Sequence, residues 1–153
     1  MNTKIDNNCI FCKIGQRKID ANIIDENEDA IAFLDAFPLT AGHTLVITKN
    51  HYAKLQDVRF DEINSLFKLA YKILPYIEEG TNVQGTLLAI HNGKEAGQEI
   101  PHVHLHIVPR KPDDGGAAIH SMFDSNHRLE KSEIMRVFKN IKEQSEKRTL
   151  DSN

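Results

Sequence analysis

Three histidines alternate with aliphatic residues in His102-Val103-His104-Leu105-His106. Side chains along an extended strand point to opposite faces in turn. The spacing therefore predicts His102, His104 and His106 on one side, with Val103, Leu105 and Ile107 turned to a core on the other. A neutral imidazole is a competent nucleophile, and its reference pKa of about 6.5 leaves much of it unprotonated near neutral pH. His104, in the middle, has neighbours able to fix its tautomer and angle. A half-exposed strand that happens to carry histidine, or an accidental surface metal site, is the bland alternative. Strict alternation backed by aliphatic residues favours chemistry.

Attack on phosphorus also needs oriented donors for the phosphoryl oxygens. The loop before the run offers Asn92 and Gln98, and Gly93 and Gly97 permit close backbone approach. Alone, Asn92-Gly93 reads as a turn; its place directly upstream of the histidines adds the second meaning. The two cysteines, Cys9 and Cys12, form a Cys-x-x-Cys. In a reducing compartment that spacing points to metal ligation or redox chemistry more than to a structural disulfide. Zinc takes four ligands, so the pair is half a site and the rest must come from far along the chain. A pair of small buried thiols is the alternative.

Among the elements that must hold these residues, Ile23-Ile24, Ala30 to Leu34 and Thr44 to Thr48 read as strands, broken by turn residues at Asp25 to Glu28 and Pro38 to Gly42. Phe60, Ile63, Phe67, Ala70, Ile73, Leu74 and Ile77 recur every three or four residues, predicting an amphipathic helix whose stripe covers a sheet. Pro75 is expected to kink or shorten its last turn, and Gly80 to stop it. Strands follow at Gly85 to His91 and Val103 to Val108. A last helix is expected over Ser132 to Glu146, with Ile134, Met135, Val137, Phe138 and Ile141 on one side. Strands gathered around one long helix predict an α+β fold: a five-stranded, mostly antiparallel sheet with one long helix packed on it and a C-terminal helical extension. The cluster Pro112 to Gly116 marks the boundary, giving a main domain over 1–110 and an extension over 111–153 packed on the same domain.

The bulk properties fit one globular domain: 153 residues, 40% hydrophobic and 27% charged. The longest apolar runs fall far short of the ~20 residues of a spanning helix, and the first eight residues lack a secretory signal's apolar stretch, so no membrane association and a cytoplasmic location are expected. A net charge of -3 without a long basic run argues against nucleic acid as a partner, while leaving a small anion acceptable.

The stretch Gly97 to Val108 closely resembles the signature of the histidine triad (HIT) superfamily, and Cys9-Ile10-Phe11-Cys12, Phe33-Leu34-Asp35 and Gly42 to Ile47 resemble it in the same order. Together they span about residues 9 to 110. The resemblance implies a two-step reaction at the α-phosphate of a purine nucleotide, with His104 as nucleophile and a nucleotidyl-histidine intermediate. His106, Asn92 and Gln98 match phosphate-contacting positions, His43 a further histidine near the nucleophile, and Asp35 the carboxylate that binds the ribose hydroxyls. A strand-end turn is the alternative for Asp35. Glu99 stands where some relatives carry a serine or threonine that assists the leaving group. The resemblance also implies a structural zinc held by Cys9, Cys12, His51 and His102, and a homodimer that joins two sheets. It implies no organic cofactor.

Within that superfamily the expected activity is hydrolysis of nucleoside phosphoramidates or related conjugates, as in the Hint branch. Cleavage of dinucleoside polyphosphates is the competitor, since Val108 to Lys111 also resembles the fragile histidine triad branch. A nucleotide-binding scaffold with incidental turnover and a zinc module without a nucleotide site are readings from other classes. DNA-adenylate repair is disfavoured by the lack of a basic extension. The chain has no tryptophan, so it lacks the Trp-containing tail of animal Hint proteins.

Overall fold

A computed structural model describes residues 4–123 and 129–151, with the side chains of the last helix described through 148. The chain divides into two compact units, Met1–Asp114 and Gly115–Asn153. The first contains a short helix α1 (Ile10–Gly15), strands β1 (Ile23–Glu26), β2 (Ala30–Leu34) and β3 (Thr44–Thr48), a long helix α2 (Phe60–Thr81), and strands β4 (Thr86–Ala89) and β5 (His104–Pro109). The strands form one sheet in the order β1-β2-β3-β5-β4, and every neighbouring pair is antiparallel.

Both faces of the sheet's centre are covered, which explains why all five residues of β3, Thr-Leu-Val-Ile-Thr, are buried. On one face Ala30, Ala32, Val46, Val103, Leu105 and Ile107 pack against Leu66, Leu69, Ala70, Ile73 and Ile77 of α2. On the other, Ile31, Phe33, Leu45 and Ile47 pack against Cys9, Phe11, Cys12 and Ile14 of the N-terminal segment.

Several local expectations need correction. Asp25 and Glu26 belong to β1 rather than to a turn. The core-facing stripe of α2 includes Leu66 and Leu69, whereas Phe60 is 81% and Phe67 45% exposed. The apolar positions of this helix cover a wider arc than the sheet can bury, and the sheet selects only part of it. Pro75 sits inside α2 without ending it. Its ring leaves the Tyr71 carbonyl without an amide partner, which an exposed residue tolerates because water can serve instead. The helix stops at Asn82, not Gly80: Asn82 is left-handed, Val83 N–H donates to Glu78 O and Asn82 N–H to Glu79 O, a Schellman closure. The strand β4 is shorter than expected, and β5 starts at His104 and runs to Pro109.

In the second unit, α3 spans Lys131–Asp151, longer than expected at both ends. Its residues Ile134, Met135, Val137, Phe138 and Ile141 are exposed. Among the described residues no helix is long and apolar enough to cross a membrane.

Candidate active site

The strand β5 lies between β3 and β4, with Ile47 opposite His104 and Leu45 opposite His106. Since Leu105 and Ile107 are committed to α2, the strand's alternation puts His104 and His106 on the opposite face. His104 Nδ1 lies 2.6 Å from the carbonyl oxygen of His102. A carbonyl only accepts, so Nδ1 carries the proton and donates, leaving the Nε2 lone pair of His104 free. Burial holds the His104 pKa below the ordinary histidine value, the His102 carbonyl acting in the opposite sense, so the ring is neutral at neutral pH. Phe11 sets its ring edge-on to His104, with centroids 5.1 Å apart.

The second pair of histidines is oriented from the main chain. Leu39 N–H donates to His43 Nδ1 at 3.2 Å, so that nitrogen is an acceptor and the proton of neutral His43 sits on Nε2. His43 Nε2 lies 2.9 Å from His106 Nδ1, and the donation therefore runs from His43 to His106. The proton of His106 is left on Nε2, a buried atom with no partner. Asp35 Oδ2 stands 3.5 Å from His43 Nδ1, a contact that becomes an ion pair only if His43 is charged. Burial lowers the His43 pKa against the pull of Asp35, which favours the neutral arrangement. Burial, with the neighbouring His104, His43 and His91, pushes His106 down to about 4.

These rings open on a cavity of about 500 Å³. Asp35, His43, His91, Glu99, His104 and His106 line its polar side, and Ile10, Ile19, Phe33, Phe37 and Leu39 contribute to its apolar wall. Asn92 and Gln98 are not among the lining residues. Asn92 accepts from Leu55 N–H and donates to Gln56 Oε1, tying the loop to the 3-10 turn Leu55–Asp57. Gln98 accepts from Gly93 N–H and donates to Ala53 O, closing the loop on itself and on the preceding segment. His91 was not among the expected site residues, yet its ring centroid is 5.3 Å from that of His106. The signal available was its position next to Asn92 at the end of the expected strand.

His102 is fully buried and faces the cysteines rather than the cavity. Its Nε2–H donates to Thr48 O at 2.8 Å, so Nδ1 is the atom free to bind a metal. That atom lies 3.4 Å from Cys9 Sγ and 3.6 Å from Cys12 Sγ, and His51 Nδ1 lies 3.4 Å from Cys12 Sγ. A tetrahedral ion bonded at about 2.3 Å to sulfur and about 2.0 Å to nitrogen sets its ligand atoms roughly 3.5 Å apart, so the donor set and its spacing fit such an ion. All four atoms fall within 4.8 Å of one another. Burial pushes the Cys12 thiol up to about 11, so metal binding must displace its proton. His51 N–H donates to Lys4 O, and Lys4 N–H donates to Asn50 Oδ1, stitching the N-terminal segment to the end of β3. Asn50 in turn donates to the buried carboxylate of Glu62 on α2, as does Tyr52.

The HIT domain family model matches residues 16–113. The fold is similar to the crystal structure of SMU.412c from Streptococcus mutans, with a TM-score of 0.81 and 30% identity over 91% of this chain and 86% of that one. It is also similar to a zinc-bound histidine triad family protein from Mycobacterium smegmatis, with a TM-score of 0.65 and 37% identity over 70% of this chain and 78% of that one. Among proteins of named activity, adenosine 5'-monophosphoramidase HNT1 of Saccharomyces cerevisiae is 34% identical over 116 residues, 75% of this chain and 70% of that protein. With the family match spanning the sheet, the loop and the histidine run together, the chain belongs to the HIT domain family.

Proposed function

We propose that this protein is a nucleotide hydrolase or transferase that cleaves purine nucleoside phosphoramidates or related nucleotide conjugates at the α-phosphate. The observation that carries the reading is the pairing in one cavity of a neutral His104 with its Nε2 lone pair free and a His106 whose Nε2–H has no partner. Nε2 of His104 attacks phosphorus, the bond to the leaving group breaks with its electron pair, and a nucleotidyl-histidine forms. Water or another acceptor then attacks phosphorus and returns the pair to Nε2. His106 Nε2–H meets the phosphoryl oxygen as negative charge develops there. Asp35 stands at the cavity wall as an acceptor for ribose hydroxyls. Asn92 and Gln98 act from behind by holding the loop in shape. The monophosphoramidase activity of the yeast relative supports this substrate class.

The ion in this reading is one structural zinc on Cys9, Cys12, His51 and His102, and the zinc-bound mycobacterial relative supports that choice. Bound there it supplies no reaction chemistry; it anchors the segment that carries Phe11. A homodimer joining two sheets is supported by the edge strand β4, where Leu87 and Leu88 are 39% and 42% exposed; sedimentation at the mass of a single chain would remove that assignment.

The test is to offer labelled adenosine phosphoramidate and a labelled diadenosine polyphosphate side by side, quench during turnover and map the adduct. Label on His104, faster turnover of the phosphoramidate, and loss of both in His104→Ala are expected. An adduct on another residue, or full turnover by His104→Ala, overturns the reading.

A further inference from the structure

We infer that His91 is a catalytic residue, the acid that gives a proton to the leaving group in the first step and takes one from water in the second. The inference rests on the reading of His104 as nucleophile.

An amine or alkoxide expelled from phosphorus must be protonated as it leaves, and the proton must come from a group already in the cavity. Most of the rings there are committed. His104 keeps Nδ1–H on the His102 carbonyl and uses Nε2 for attack. His43 has both nitrogens engaged, by Leu39 N–H and by His106. His106 holds its Nε2 proton only while Nδ1 accepts from His43, so giving that proton away would break the chain that orients it. Asp35 accepts from Phe37 N–H and stands beside His43.

His91 differs from all of these. Neither of its ring nitrogens has a hydrogen-bond partner among the described residues, so it can gain or lose a proton without dismantling anything. It is half-buried, lines the same cavity, and lies against His106 with the ring planes tilted by 58° and the centroids 5.3 Å apart. Gly97, with its backbone left-handed, lies beside the ring: a Cβ at that position would stand 3.9 Å from His91 Cδ2. The remaining carboxyl groups that line the cavity, Asp20 and Glu99, are both exposed.

The step balances. As His104 Nε2 bonds to phosphorus, the electron pair of the broken bond goes to the leaving atom, which takes the proton from the His91 imidazolium. Neutral His91 then accepts a proton from the water that attacks the nucleotidyl-histidine, and the pair of the phosphorus–nitrogen bond returns to His104.

Single-turnover release of the leaving group from the full chain tests this, using AMP carrying either an alkylamine or p-nitrophenolate. The nitrophenolate leaves without a proton. His91→Gln is expected to slow alkylamine release by about 100-fold or more, the lower range for losing a general acid, and nitrophenolate release by less than about threefold. Equal slowing of both, which is what a merely structural role produces, overturns the assignment. So does unchanged alkylamine release, or a Glu99→Gln variant that shows the selective loss in place of His91→Gln. His104→Ala serves as the separate control: if it still releases both leaving groups, the nucleophile reading fails, whatever His91 does.

Discussion

The direction of the hydrogen bonds around His106 decides what the site can greet. A backbone amide never accepts, so the order Leu39 to His43 to His106 cannot be reversed, and the proton of His106 is kept on its buried, unpartnered Nε2, a donor suited to an anionic oxygen. His106→Ala is expected to lower kcat by about 100-fold or more with little change in KM, the usual result of removing a donor aimed at developing charge; steady-state kinetics on the phosphoramidate check it. The same burial makes His106 a stability group. Its pKa in the fold is about 4 against an ordinary value of 6.5, so below pH 6.5 the unfolded chain takes up a proton that the fold refuses. Stability is therefore complete above that value and falls as the pH drops toward 4, by at most about 1.4 kcal/mol per pH unit for this one group. Denaturant unfolding of the native chain and of His106→Asn across this range should give a shallower fall for the variant; parallel curves would refute the claim.

Between β2 and β3 the chain must turn and deliver His43 to the cavity, and Gly42 makes that possible. Its φ is +87°, and a Cβ there would collide with Thr81 Cγ2 of α2 and press on Pro109 Cγ at 3.3 Å. Gly42→Ala is expected to cost about 2 kcal/mol or more of stability, read from denaturant midpoints, and to lower turnover as well because His43 is displaced. Much of this layer was legible in the residues. The strands β2 and β3 are short apolar runs bounded by turn residues, and β5 carries its own alternation. The helix α1 was not legible, since six residues with an interior Lys13 and a terminal Gly15 give no period to read. Nor was the side of α2 that meets the sheet, because Phe60 and Phe67 compete with Leu66 and Leu69 and only the sheet decides between them. The histidine face and the cysteine pair announced themselves through spacing. A lone histidine such as His91 has no periodic partner, and its role appears only when β4 and β5 are brought side by side. Asn92 and Gln98 were legible as important; that their side chains serve the loop depends on partners near residue 55 that no spacing reveals.

The cluster of Cys9, Cys12, His51 and His102 gathers three distant stretches of the Met1–Asp114 unit at one point. Removing the proposed zinc with a chelator is expected to lower the melting temperature by several degrees and to expose both thiols to a disulfide reagent, because the fold then loses binding energy that the unfolded chain cannot recover. Calorimetry and thiol titration check this, and an unchanged melting curve after verified metal loss would refute it. His102 serves this cluster through its ring and His104, the proposed nucleophile, through its carbonyl, so the chelated protein is expected to turn over more slowly as well. The span from Cys9 to His102 is 93 residues, and this has a consequence for biosynthesis. A ribosome releases the thiols long before it makes their last partner, so the four-residue cluster cannot be complete until His102 has emerged. Nascent chains shorter than that carry two uncovered sulfurs, and their protection from oxidants arrives together with the reactive ring two residues further on.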